Sequence, residues 1–318
     1  MTESIKKNWF LLGLVAVVLM TLADTRGILT GPGLWLKAHN GPDFVIILIF
    51  FLSGLVLDTS RIRAGASDYR GTLTALLLIF LIAPLLTLPF TLLHLSTGVL
   101  LGLFLVAVMP TTLSSGVVMT GGAGGNMAHA LLITIIANSL AVFTIPFSLG
   151  LLLSLTGDNR IIEIEQLPIM FKIASRVLLP LLVGMIVRRT LTSLRPFLPY
   201  TGILNQIGIL AMVWMALCRG REAIISNLGA VLPILLVIFT FHLVLVLAGM
   251  VMAHYGDIGK GRRESVIIMG GQKTLVLSVI LQVSLFPEYG IALVVCVLHH
   301  IVHLIMDAFL TQHLKGKK

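Results

Sequence analysis

The chain reads as long apolar runs separated by short clusters of Gly, Pro and charge. Each run is close to the length a helix needs to cross a bilayer, about 20 residues. The pattern predicts ten such helices, over residues 8–23, 43–57, 72–93, 97–120, 126–153, 166–188, 201–218, 228–254, 264–285 and 288–311. The segments between them leave no room for a soluble domain. Lys6-Lys7 followed by Phe10 to Leu22 imitates a secretory signal. Leu22-Ala23-Asp24-Thr25-Arg26 offers no small-x-small cleavage site, so the first run is expected to remain as an uncleaved helix.

Composition sharpens this into a class. Of 318 residues, 57% are hydrophobic and 11% charged, and the mean hydropathy is +1.05. A soluble domain carries about 25% charged residues, so a water-soluble globule is excluded and the fold class is an all-α integral membrane protein. The net charge of +9 would suggest a nucleic-acid partner if the basic residues were not placed beside the apolar runs. They report topology instead, and no nucleic acid is implied. The clusters at Lys6-Lys7, Arg61 to Arg70, Arg188 to Arg195, Lys260 to Arg263 and Lys315 to Lys318 fall on one face, against the sparser Arg26, Lys37, Arg160, Arg219 and Arg221 on the other. Because Lys and Arg resist translocation, both termini are expected in the cytoplasm of a multi-pass protein of the plasma (inner) membrane. Cys218 and Cys296 lie far apart in apolar runs, which gives neither a disulfide framework nor a four-ligand zinc site.

An even number of spans with both ends on one side suggests two halves of five, residues 1–157 and 158–318. Five is odd, so the halves are inverted. The fourth span of each half is the one that reads badly as a lipid-facing helix. In the first it runs Met109-Pro110-Thr111-Thr112-Leu113-Ser114-Ser115-Gly116 and on to the Gly-rich 121–125; in the second it is Met269-Gly270-Gly271-Gln272-Lys273-Thr274. Interrupted segments at matching places in two halves point to a secondary transporter's binding site, since unwound backbone offers carbonyls and amides that a continuous helix has consumed.

Lys273 is the most informative residue, nine positions after Glu264 and thirteen before Phe286. That is about 14 Å into the bilayer at the helical rise per residue, where a lysine costs at least about 2.5 to 3.5 kcal/mol and cannot face lipid. It either pins the broken helix as a structural ammonium or meets an anionic substrate, and both roles can hold together. Gln272 and Thr274 flank it with neutral donors and acceptors. Thr111, Thr112, Ser114, Ser115 and Thr120 carry hydroxyls suited to a hard cation or a ligand, or to close helix packing. Asn126, Thr134 and Asn138 share one face of the fifth span with His129 nearby, and that face is expected to point at the crossing region. His299, His300, His303 and Asp307 lie within an arc of about 100° on the tenth span. They suit a metal site or a proton relay, or hydrogen bonds to backbone in a solvated crevice. Lys172 and Arg176 are expected to snorkel to the interface.

The order of motifs resembles the bile acid:sodium symporter family, and within it the cotransporter-7-like branch. The residues that carry the likeness are Lys7-Asn8-Trp9-Phe10, Phe51-Leu52-Ser53-Gly54-Leu55, Met109-Pro110 with Ser114-Ser115, Gly124-Gly125-Asn126, Pro180-Leu181-Leu182-Val183-Gly184 with Val187-Arg188-Arg189, and Gln272-Lys273-Thr274-Leu275. The resemblance implies an inverted five-plus-five fold, with a panel domain of spans 1, 2, 6 and 7 and a core domain of spans 3–5 and 8–10 in which spans 4 and 9 cross where they unwind. It also implies an alternating-access carrier of a small organic anion, with no cofactor beyond Na+ or H+ as coupling ion. The family's sodium ligands are mostly replaced: its ninth-span glutamate position is Ile268, its third-span glutamine falls near Ile79, its fourth-span asparagine has no counterpart at Gly116 or Val117, and one fifth-span hydroxyl is Ala130, while Thr134 and Gln272 remain. Lys273, in place of a neutral amide, repels sodium at short range. Sodium-independent or proton-linked transport is expected. The rival readings are a non-transporting regulatory membrane protein on the same fold and a membrane enzyme using the His299 cluster with a metal; no nucleophile and base pair accompanies that cluster, so no enzymatic activity is expected.

Overall fold

The computed structural model of the chain describes residues 2–56, 69–112, 115–154, 166–190, 196–226 and 228–316. Among the described residues all regular structure is helical and no strand occurs. In chain order the helices are α1 (Thr2–Ala23), α2 (Thr30–Ala38), α3 (Gly41–Val56), α4 (Tyr69–Thr91), α5 (Thr97–Ala107), α6 (Ser115–Gly122), α7 (Met127–Leu153), α8 (Gln166–Thr190), α9 (Leu198–Ile225), α10 (Val231–Tyr255), α11 (Arg262–Gly271), α12 (Leu275–Leu285) and α13 (Gly290–Gly316). Among the described residues, seven segments are long and apolar enough to cross a membrane: α4, α7, α8, α9, α10, the α11–α12 pair and α13. An eighth is counted if α2 and α3, bent by 79° at their junction, form one broken span. The first and fourth predicted spans differ from plain spans for local reasons. The apolar part of α1 is only Leu12–Ala23, and the fourth is cut after Thr97–Ala107 by the Met109-Pro110 break.

Helix α2 was not expected, because its Gly- and Lys-containing sequence is short and only half apolar. Asp24 explains it. Its carboxylate accepts from the main-chain amides of Ile28, Leu29 and Thr30 and from the Thr30 hydroxyl, at 2.7–3.0 Å, satisfying amides that a helix start leaves bare. Those bonds, the Thr30 amide first, hold the Asp24 carboxyl down from 3.8 to about 2. The cap is therefore in place from neutral pH down through the range of a free aspartate, and is lost only as pH falls through about 2.

Packing divides into two groups. Helix α3 lies against α8 and α9, and α9 also takes α1 and α2. In the other group α13 packs on α5, α10 and α12, and α11 on α4 and α10. The groups meet along α9 with α13 and along α7 with α8. The α3–α8 crossing is made by backbone: a Cβ on Gly54 would sit 2.2 Å from the Leu181 carbonyl oxygen, and one on Gly184 2.2 Å from that of Phe51. Small residues at a crossing let backbones touch, which is how helices associate where lipid supplies no hydrophobic drive between them. Two polar contacts lock the pair. Arg188 donates through Nη1 to the carbonyls of Leu55 and Val56 at the end of α3, where the helix dipole is negative. Arg176 pairs with Asp43 at 2.8 Å rather than only reaching for the interface.

Gly184→Leu should overpack the crossing and destabilise the protein by about 2 kcal/mol or more, read as a lower midpoint in detergent thermal unfolding. Asp24→Ala should leave α2 fraying, visible as several-fold faster hydrogen exchange of the amides of residues 28–30.

Candidate functional site

The break in the fourth span begins where α5 ends at Ala107, since Pro110 supplies no N–H to continue the helix. The break in the ninth is Gln272-Lys273-Thr274, after Gly270-Gly271. The two breaks touch. The Thr274 amide donates to the Pro110 carbonyl at 2.9 Å, so unwound backbone of one segment completes that of the other. Gln272 ties them again through its side chain: Oε1 accepts from Thr112 Oγ1 and, at 3.1 Å, from Ser115 Oγ. Ser115 also donates to Thr112 Oγ1 at 2.9 Å, and the Gly116 amide does so at 3.0 Å, capping the start of α6. Gln272 Nε2 rests on Met119 Sδ at 3.0 Å.

Lys273 is 2% exposed, and its ammonium donates to three main-chain carbonyls, Ile79 at 2.9 Å, Ala107 at 2.9 Å and Met109 at 3.0 Å. Two of them are free because α5 ends there, at the negative end of its dipole. The third is free because of a register slip in α4. Residues Leu78–Ile82 form a π turn, and the Ala83 amide bonds to Leu78 instead of Ile79. Residue 84, next in line for the Ile79 carbonyl, is a proline with no N–H. One ammonium thus holds α4, the end of α5 and the α11–α12 break together.

A cleft of about 630 Å³ opens beside this crossing. Its walls are Phe10 and Leu12 of α1, Ile49, Phe50 and Ser53 of α3 and Asn205, Gln206 and Ile209 of α9 on one side, with Met119 of α6, Val276 of α12, and His300 and Leu304 of α13 on the other. Thr112, Ser115, Thr274 and Leu275 close it at the crossing. The lining is mostly apolar with a few neutral polar groups and, among the described residues, no lysine or arginine. Helices α6 and α12 both begin here, and a helix start presents unpaired amides and positive dipole.

Of the residues proposed from sequence, Thr112, Ser115, Gln272, Lys273 and Thr274 come together at the crossing. Lys273 is not part of the cleft lining. Ser114 lies outside the described residues. Thr111 is fully buried, its hydroxyl has no partner among the described residues, and its carbonyl accepts from Asn138 Nδ2 at 3.4 Å. Thr134 and Asn138 sit one turn apart and bond to the backbone of α7, Thr134 to the Ala130 carbonyl and Asn138 to that of Thr134. Asn126 is elsewhere: its side chain caps α7 through the amides of Ala128 and His129, and its own amide donates to the Gly261 carbonyl. An Asn immediately before an apolar helix is a capping signal, and that role takes it out of the shared face read from sequence.

Three features escaped the sequence reading. Ser53 accepts from Asn205 Nδ2 at 3.0 Å on the cleft wall. His242 of α10 joins the cluster on α13, with Nε2 3.1 Å from Asp307 Oδ1. The π turn of α4 supplies the third carbonyl. Isolated polar residues within apolar runs were the signal for Ser53 and His242, and Pro84 for the π turn.

The positions that the resemblance sets against the family's sodium ligands are placed as well. Ile79, Ala130 and Ile268 are fully buried and belong to one apolar cluster, packed with Ala75, Ile133 and Ile267.

Comparison with known proteins gives a consistent result. The family model described as the SBF-like CPA transporter family matches residues 8–316. The "Probable sodium/metabolite cotransporter BASS4, chloroplastic" of Arabidopsis thaliana is 29% identical over 280 residues, 82% of this chain and 63% of that protein, so the chain spans less than two thirds of that relative's length. "Sodium/bile acid cotransporter 7" of Danio rerio is 27% identical over 296 residues, 90% of this chain and 86% of that protein.

Lys273→Met removes the ammonium at similar length and leaves three buried carbonyls unpaired, each worth about 1–3 kcal/mol. A loss of at least about 3 kcal/mol in stability is expected, measured as a depressed unfolding midpoint of protein that still inserts in the membrane.

Proposed function

Because the chain belongs to the SBF-like CPA transporter family, a family of transporters rather than enzymes, we propose that it carries a small organic anion across the membrane by alternating access, without requiring sodium. The observation that carries this reading is the cleft between the two packing groups, closed at its deep end by the crossing of two broken helices. Apolar walls suit the body of an amphipathic anion. Its charged group is recognised by the starts of α6 and α12 with the hydroxyl of Thr274, joined by those of Thr112 and Ser115 when they turn from Gln272, in the way that half-helix starts hold anionic substrates in transporters. On this reading the α1, α3, α8 and α9 group is the panel and the remaining spans the core, and residues 1–157 and 158–318 are inverted repeats whose fourth spans cross. Both termini are cytoplasmic, in a plasma (inner) membrane.

The relatives' names speak of sodium-coupled metabolites and bile acid. Two observations favour a different coupling here. The apolar cluster of Ile79, Ala130 and Ile268 offers no side-chain oxygen to a cation. Beside it the Lys273 ammonium, held by three carbonyls, supplies a tethered positive charge where a bound ion would otherwise stabilise the unwound backbone. Neutral Gln272 and Thr134 then serve the backbone and the hydroxyl network rather than an ion.

The test is uptake of labelled organic acids and steroid conjugates into proteoliposomes with and without a sodium gradient. Uptake is expected at equal rates in both, and Lys273→Met is expected to abolish it. Strict sodium dependence would overturn the coupling, and absence of flux for every anion would favour a regulatory protein on the same fold.

A further inference from the structure

Five ionisable side chains are buried together behind the cleft: His242 of α10 and His299, His300, His303 and Asp307 of α13, each 5% exposed or less. They form one contiguous series. The His300 ring lies 4.7 Å from His303 between centroids, His303 lies 5.3 Å from His299 and 5.7 Å from His242, and His242 Nε2 reaches Asp307 Oδ1 at 3.1 Å. Most of their polar atoms have no hydrogen-bond partner among the described residues: both nitrogens of His300, Nε2 of His299 and His303, Nδ1 of His242 and Oδ2 of Asp307. Leaving so many buried polar atoms bare is costly, and repacking α13 with apolar residues would avoid it. A cluster that is kept under-satisfied has capacity for something, and the smallest thing that a bare imidazole nitrogen or carboxylate oxygen can take up is a proton.

The ends of the series decide what the proton does. His300 lines the cleft with both ring nitrogens buried behind the wall and the Phe10 ring packed edge-on against it, so a turn of this one side chain connects the cluster to the place where the passenger binds. At the other end His242 lies against the last residue of α11, its Cε1 being 3.7 Å from where a Cβ on Gly271 would stand, one residue before Gln272. The cluster therefore backs onto the break itself. Its charge balance is simple. Asp307 is the single acid, and of the helices packed on α13, α5, α6 and α12 carry no ionisable side chain. Helix α10 brings His242, with His254 near its end; α9 brings Arg219, Arg221 and Glu222 at its far end, where Gly220 meets Leu293; and Lys273 follows Gly271 by two residues, its ammonium held on the carbonyls of Ile79, Ala107 and Met109. One proton shared by His242 and Asp307 makes the cluster neutral, and a second makes it cationic next to the cleft. Metal binding is not what the geometry fits: among the described residues no three His, Cys, Asp or Glu side chains converge to hold an ion.

Resting on the anion-carrier reading, we propose that His242, His299, His300, His303 and Asp307 form a proton-binding site that loads from the cleft at His300 and takes up one proton with each anion carried. The step is proton transfer alone: a hydronium ion from the cleft gives its proton to a His300 nitrogen and is left as water, water admitted between the rings relays the proton to the other side chains, and it leaves to water when the site faces the other side. A monovalent anion and one proton move without net charge, so the cycle needs neither sodium nor a membrane potential.

The experiment uses full-length protein in liposomes containing a pH-sensitive dye, with tritiated taurocholate and a tritiated steroid sulfate as anion probes, under a one-unit pH gradient, alkaline inside. About tenfold accumulation is expected, the ratio set by one proton per anion at 1.4 kcal/mol per pH unit, with matching internal acidification. Asp307→Asn and His300→Gln should lose accumulation, and His242→Gln serves if Asp307→Asn does not fold. Anion uptake indifferent to the pH gradient, or unchanged in these variants, overturns the proton site while leaving the carrier reading intact. If neither probe is carried under any gradient, the carrier reading fails for those anions and the site is judged alone, by nitrogen NMR of histidine-labelled protein in nanodiscs between pH 4.5 and 8.5. Buried imidazole signals that titrate, and change in Asp307→Asn, support it; signals constant across that range sink it.

Discussion

A buried ammonium with no carboxylate facing it among the described residues is the constraint on which the crossing depends. Two helices that stop in the middle of a membrane leave carbonyls and amides with no water to bond. In this chain the amides and hydroxyls at the break are shared between the segments, Thr274 to Pro110 and Thr112 and Ser115 to Gln272. The carbonyls of Ile79, Ala107 and Met109 are not, and Lys273 gathers them. Its partners are dipoles rather than a carboxylate, so among the described residues no counter-charge cancels that of the ammonium. That charge sits near the beginnings of α6 and α12, reinforcing the positive field of both without entering the cleft.

The same economy shapes the surroundings. The cavity is built from apolar side chains of two packing groups that touch chiefly through α9 against α13 and α7 against α8. Polar residues on its walls are paired or neutral, as Ser53 with Asn205 is. On the proposed carrier reading, fixed positive charge is thus kept out of contact with the passenger, which favours release as much as capture.

How much of this the sequence disclosed depended on whether the signal was carried by side chains in order or by backbone in space. Apolar runs and their Gly and Pro interruptions placed both breaks and most of the helices, though not α2 and not ten full-length spans, because hydropathy and missing N–H groups are local. Lys273 was marked as structural or substrate-binding by its depth alone, yet its partners are carbonyls, which have no residue code. The slip in α4 depended on the pairing of Ala83 with Leu78 and on Pro84 together, a register effect that hydropathy does not contain. His242 is one polar residue in a long apolar helix, and only the packing of α10 on α13 gives it meaning. Asn126 went the other way: its spacing suggested a shared face, and the stronger local demand of an uncapped helix start claimed it.

Helices α3 and α8 meet with no side chain between them at Gly54 and Gly184, so the contact has no rotamers through which to yield. Sliding there would cost main-chain overlap, whereas the interdigitated side chains along the cleft can exchange neighbours. On the proposed carrier reading, the rearrangement that admits cargo from alternate sides treats the two helices as one stiff plank and slips instead where Phe10, Phe50 and Ile209 look across the cleft at Leu304 and Val276.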